Sequence, residues 1–248
     1  MSNFKKVAFN SSTTLKVLAS VFLAVTLSAC SDSDDPIVAV PMPEPTPMPM
    51  EYSYQVTMVN LTHSQPLSPL AVLLHGDDTM WSIGTPVSNA LEILAEGGDN
   101  SDFLASDGVI SASSADSVLM PGNSVTMTMT TTDEMATHLT LASMLVNTND
   151  AFVGLTGLEL STLALNTSKS WNLSVYDEGS EFNSELAGTI PGPADSGTGY
   201  DAIRDDVNDQ LTRHQGIVGH DDGLTASVLS QAHKFDNPAI RLTVQRTQ

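Results

Sequence analysis

The sequence has one cysteine, Cys30, and nine basic residues against 29 acidic ones. A lone thiol cannot close a disulfide within the chain, make a CxxC redox pair or build a thiolate metal site. The fold must therefore be held by its own core. A net charge of −20 repels phosphate backbones and anionic lipid, which excludes nucleic acid as a partner, and it attracts divalent cations. The longest apolar stretch, Val17 to Leu27, is shorter than the roughly 20 residues a bilayer span requires. Common catalytic signatures are missing too. There is no Gly-x-Ser-x-Gly elbow, no His-Glu-x-x-His and no glycine-rich phosphate loop.

What is there begins with the N-terminus. Lys5, Lys6 and Lys16 come before any acidic residue, the first of which is Asp32. The apolar stretch ends in Leu27-Ser28-Ala29-Cys30, which looks like the lipobox of bacterial lipoproteins. Small residues at 28 and 29 suit a narrow peptidase cleft, and the thiol of Cys30 is the atom that would take the lipid. Residues 1–29 are thus expected to be a signal peptide. Their removal takes away three lysines and no acid, moving the net charge from −20 to −23. Ser31, not aspartate, follows the cysteine, which in enteric-type sorting favours the outer membrane. The expected location is the cell envelope, as an outer-membrane lipoprotein facing the periplasm or the medium, with the membrane as partner through lipid on Cys30. Residues 30–50 read as a tether. An acidic cluster of Asp32, Asp34 and Asp35 is followed by Pro36, Pro41, Pro43, Pro45, Pro47 and Pro49. Such spacing defeats helix and sheet and favours an extended spacer of about 3.1 Å per residue.

Residues 51–248 are long enough for one domain with a sizeable core. Thr, Val, Ser and Met are abundant, and several segments alternate with period two. Tyr52, Tyr54, Val56 and Met58 share one face; Val125, Met127 and Met129 alternate with Thr126, Thr128 and Thr130. Leu139 onward, Phe152 to Leu160, Trp171 to Tyr176 and Ile240 to Val244 are further strands. Short strands between Gly, Asn, Asp and Pro turns predict an all-β fold, an antiparallel β-sandwich. The methionines alternate with threonine and read as core filler. One helix is inserted, with Thr85 as its cap, Pro86 at its first position, and Gly97-Gly98 as its stop. Residues 196–223 read as long loops.

Two readings of the chemistry compete. His75 precedes Asp77 and Asp78, and His220 precedes Asp221 and Asp222; an exported hydrolase could use either histidine with a serine nucleophile. The second reading uses two loops. One strand runs into Asn147-Thr148-Asn149-Asp150, and another ends at Tyr176 before Asp177-Glu178-Gly179-Ser180-Glu181. If those strand ends are neighbours, Asp150, Asp177 and Glu181 converge, with Gly179 supplying the tight turn. Carboxylates gathered in this way either spread into water or hold a cation. An all-oxygen set suits Ca²⁺, with its six to eight oxygen ligands.

The same residues carry a family resemblance. Ala142-Ser143-Met144-Leu145-Val146 through Asp150 to Phe152-Val153-Gly154, then Tyr176-Asp177-Glu178-Gly179-Ser180-Glu181, resembles the spondin N-terminal domain, above all its bacterial members. Phe182-Asn183-Ser184-Glu185, Ile190-Pro191-Gly192-Pro193 and the opening Tyr54 to Thr62 agree with it. The resemblance spans residues 52–246. It implies a C2-like antiparallel β-sandwich with calcium at one end, held at positions matching Asp150, Asp177 and Glu181. It also implies a non-enzymatic role in adhesion or matrix contact, with an extracellular protein or glycan as ligand. Ala151 stands where animal members carry an aromatic residue, and Glu181 replaces an aspartate.

Overall fold

A computed structural model describes residues 48–76, 79–203 and 208–248. The expected signal segment, Cys30, most of the expected tether, and Asp77 and Asp78 lie outside the described residues. The strands are β1 (Tyr52–Asn60), β2 (Ala71–His75), β3 (Val109–Ser114), β4 (Ser124–Thr131), β5 (His138–Met144), β6 (Ala151–Glu159), β7 (Ser168–Leu173), β8 (Val175–Asp177), β9 (Thr212–Arg213) and β10 (Ile240–Arg246). They form a four-stranded sheet, β4-β1-β10-β7, and a six-stranded sheet, β3-β2-β5-β6-β8-β9. Every ladder is antiparallel. The chain is an all-β sandwich with a small helical insertion. No helix among the described residues is long and apolar enough to cross a membrane.

The alternation read in β1 and β4 has its cause in this architecture. Tyr54, Val56, Met58, Met127 and Met129 are buried in the main core between the sheets, while Thr126, Thr128 and Thr130 face water. In the six-stranded sheet the same period divides residues between two cores. Val72, Leu74, Leu139, Leu141 and Val153 enter the main core. Ala71, Leu73, Ala142 and Phe152 point the other way, into a smaller core roofed by α1 (Asn89–Gly97) and α2 (Ser101–Leu104). All five residues of β2 are buried for this reason. A strand covered on both faces shows no polar alternation.

The helix starts later than the capping pattern predicts. Thr85 is engaged elsewhere: its hydroxyl donates to the Ser82 carbonyl at 2.8 Å, and its own carbonyl accepts from Leu211 N at 3.0 Å. Ser88 caps α1 instead, accepting from Leu91 N at 3.3 Å. Gly97 is the last helical residue, and Gly98 ends the helix in the left-handed region with φ 73°. The one-turn α2 follows, so the insertion holds two helical pieces. The expected single strand from Trp171 to Tyr176 is divided at Ser174 into β7 and β8, which belong to different sheets. The described residues of 196–223 are mostly loop, broken by β9 and a 3-10 turn at His220–Asp222.

Candidate functional site

The two loops do meet. β6 and β8 pair with Ala151 opposite Asp177, so the residue before one strand and the residues after the other share one end of the sandwich. On the first side, Leu145 N donates to Ala151 O at 2.8 Å, closing a tight turn. Thr148 braces it, donating to the Leu145 carbonyl and accepting from Ala151 N. This fixes Asp150 with no exposure to solvent. On the second side, Gly179 has φ 81°, and a Cβ there would lie 2.9 Å from the Gln210 carbonyl. Only glycine makes that turn without strain.

Asp150 is the hub. Its Oδ2 accepts from Gly179 N at 3.2 Å and Glu181 N at 3.1 Å, with Ser180 Oγ at 3.5 Å. Its Oδ1 is buried with no hydrogen-bond partner. The Ser180 hydroxyl donates to Glu96 Oε1 at 2.7 Å, and Asp201 N to Glu96 Oε2 at 3.3 Å. Glu178 is only 3% exposed, and neither of its carboxyl oxygens has a partner. Glu181 is buried as well. Asp177 is half-buried, and its Oδ2 accepts from Asn183 Nδ2 at 2.6 Å.

Burial and crowding push Asp150 and Glu178 toward their neutral forms. Burial, then the charge of Asp177, raises Asp150 to about 7, against the pull of the Glu181 amide. Burial drives Glu178 up to about 10, with Asp150, Glu92, Glu96 and Asp209 adding to the effect. A carboxyl in such surroundings either keeps its proton or acquires a cation. The orphaned oxygens of Asp150 and Glu178 are hard donors, so the donor set fits a hard divalent ion. Among the described residues, however, no three of His, Cys, Asp and Glu form a group that could hold a metal ion as they stand. The cluster offers free oxygens and not a finished coordination shell.

Asp150, Asp177 and Glu181, the set expected from the sequence, all lie at this end. Glu178 and Glu96 join them without being expected. Glu178 was legible as an acid between two named ones. Glu96 was not, because it reaches the site from α1, and only the packing of the insertion against the sheet brings it there.

The two histidines of the hydrolase reading lie in different settings, and Asp77 and Asp78 beside the first are outside the described residues. His75 is 1% exposed; its Nε2 lies 2.8 Å from Thr140 Oγ1, and its ring stacks on His138 at 6.1 Å. His220 is on a surface turn with Nε2 3.2 Å from Asp221 Oδ1, and Asp222 pairs with Lys234. No family model matches the sequence, and no curated protein matches it.

Proposed function

We propose that the chain is a non-enzymatic, lipid-tethered envelope protein whose sandwich, a spondin-like domain, binds Ca²⁺ at the Asp150 end and serves adhesion or surface contact. One observation carries the calcium reading: three buried carboxyl oxygens, Asp150 Oδ1 and both of Glu178, have no hydrogen-bond partner. Unpaired buried oxygens of this kind are costly, and a cation among them removes the cost. Asp150 and Glu178 would be its inner ligands, with Asp177 and Glu181 completing the set. Ca²⁺ supplies charge neutralisation there and pins the loop at residues 177–181 to the loop at residues 147–150.

The histidines favour this reading over hydrolysis. His75 is enclosed beneath its own sheet partners, and His220 sits in a turn tied by Lys234 and Gln231. The lipid anchor rests on the Leu27-to-Cys30 pattern. Radiolabelled palmitate is expected to enter the wild type and not a Cys30→Ser variant. Protease added to intact cells then tests the role: cleavage of the domain agrees with surface contact. A domain protected until the outer membrane is opened removes the adhesin reading.

A further inference from the structure

The change of sheets at Ser174 leaves an opening in the sandwich wall. β7 ends the four-stranded sheet, and β8, its continuation, has three residues that reach only Ala151 to Val153 along β6 and pair with β9 on their other side. Beyond that point residues 154–156 of β6 pair with no strand on that side among the described residues. Between them and residues 171–174 lies a slot of about 270 Å³, completed by Tyr176 and Arg213.

Arg213 is mounted with care for a residue on a two-residue strand. It stands directly opposite Tyr176 in the β8–β9 ladder, so both side chains leave the same face. Its guanidinium carbon is 5.5 Å from the centre of the tyrosine ring. That ring is itself stacked on Phe152 at 5.4 Å and set edge-on to Trp81 at 6.4 Å. The cation rests on a platform fixed by the smaller core.

The charge distribution around it is unusual for this chain. With 29 acidic residues and nine basic ones, a carboxylate partner would be easy to supply. Yet no Asp or Glu lines the slot, and Arg213 makes no ion pair among the described residues. The adjacent Asp177 falls on the other face of β8 by strand alternation, where it accepts from Asn183. Among the described residues no acceptor engages the guanidinium, whose planar fork matches a carboxylate. The slot is also lined by half-buried Trp171, whose ring packs toward the main core and offers a flat apolar wall, and by exposed Asn172, which offers an amide. Apolar walls with a few polar groups and one charge are the usual make-up of a small-ligand pocket.

We propose that this slot binds a carboxylate carried on a six-membered ring, with the carboxylate on Arg213 and the ring against Trp171. An acidic sugar and an aromatic acid both present that chemistry. The test is a titration of the lipidated full chain in detergent, followed by tryptophan fluorescence and ligand-observed saturation-transfer NMR. Methyl glucuronide and benzoate are the carboxylate probes; methyl glucoside and benzyl alcohol are their neutral counterparts. Saturable binding with a Kd of about 1 mM is expected for at least one carboxylate. Its neutral counterpart should bind about tenfold more weakly, since a charge-assisted bond is lost. Whichever carboxylate binds more tightly identifies the source. Arg213→Gln should reduce that affinity to the neutral level, Arg213→Lys should fall between, and Trp171→Phe should lose less than Arg213→Gln. Each variant is checked by its thermal midpoint. Two results overturn the proposal: no saturable signal from either carboxylate up to about 20 mM, or affinity unchanged in a folded Arg213→Gln protein.

Discussion

Two short acidic turns, at residues 177–181 and 220–222, are similar in composition and opposite in physics. Each sets carboxylates beside a glycine in the left-handed region, Gly179 with φ 81° and Gly223 with φ 98°. In the second, Asp222 meets Lys234 and water, and the hydrogen bond from that lysine lowers its pKa. In the first, Glu178 is enclosed by protein and by other acids, and its pKa rises to about 10. The residue types do not decide which outcome follows. Burial does, because desolvation of a charged group outweighs what a surface ion pair returns. The exposed turn is solvated; the enclosed one is left in need of a proton or a cation.

The comparison can be broken by substitution, and the largest effect is expected at Asp150. Asp150→Ala removes the acceptor for two backbone amides in a buried site. A loss of about 3 kcal/mol in denaturant unfolding should follow. Asp150→Asn, which keeps an acceptor oxygen, should lose less. An Asp150→Ala protein as stable as wild type would mean the hub does not hold the loops together.

Glu178→Gln should act in the opposite direction. The folded protein holds its Glu178 proton up to a pKa of about 10, whereas the unfolded chain releases it in the ordinary carboxylate range. Between those values the native state binds more protons, so stability falls as pH rises. Removing the titration should therefore stabilise the metal-free protein at pH 8 by about 2 kcal/mol. It should also flatten the decline in thermal midpoint from pH 5 to 9. A decline of unchanged slope in the variant would assign it to other groups.

Gly179→Ala forces a Cβ into the left-handed turn and toward the Gln210 carbonyl. A cost of about 1–2 kcal/mol is expected, and the same change at Gly223, where a Cβ would meet nothing within 4 Å, should fall at the low end of that range. Comparison of the two melting curves checks this. The smallest effect belongs to the exposed turn. Lys234→Ala should cost less than about 1 kcal/mol, and less still in high salt.

Much of this contrast could be read in advance, and the limits have physical causes. β1 and β4 announce themselves because one face is wet, so Thr126, Thr128 and Thr130 mark the pleat. β2, Ala71 to His75, is covered on both sides and carries no such mark. The division at Ser174 is invisible in the alternation, since a strand that changes sheets keeps its period of two. Asp150 and Asp177 could be brought together on paper by supposing their strands adjacent, and the β6–β8 ladder makes them so. Glu96 could not, because its approach depends on how a helical insertion packs. The burial of Glu178 also depends on that packing, not on its neighbours in sequence.

Calcium titration of the thermal midpoint at pH 8 tests the central claim most directly. If the orphaned oxygens of Asp150 and Glu178 bind the ion, the midpoint should climb with the logarithm of Ca²⁺ concentration above Kd, by about 2.7 kcal/mol of added stability at a hundredfold excess over Kd. Mg²⁺ should do less, as it demands tighter octahedral geometry, and an Asp150→Asn, Glu178→Gln double variant should not respond. A midpoint that stays fixed up to millimolar Ca²⁺, or one that climbs equally in the double variant, would contradict the account.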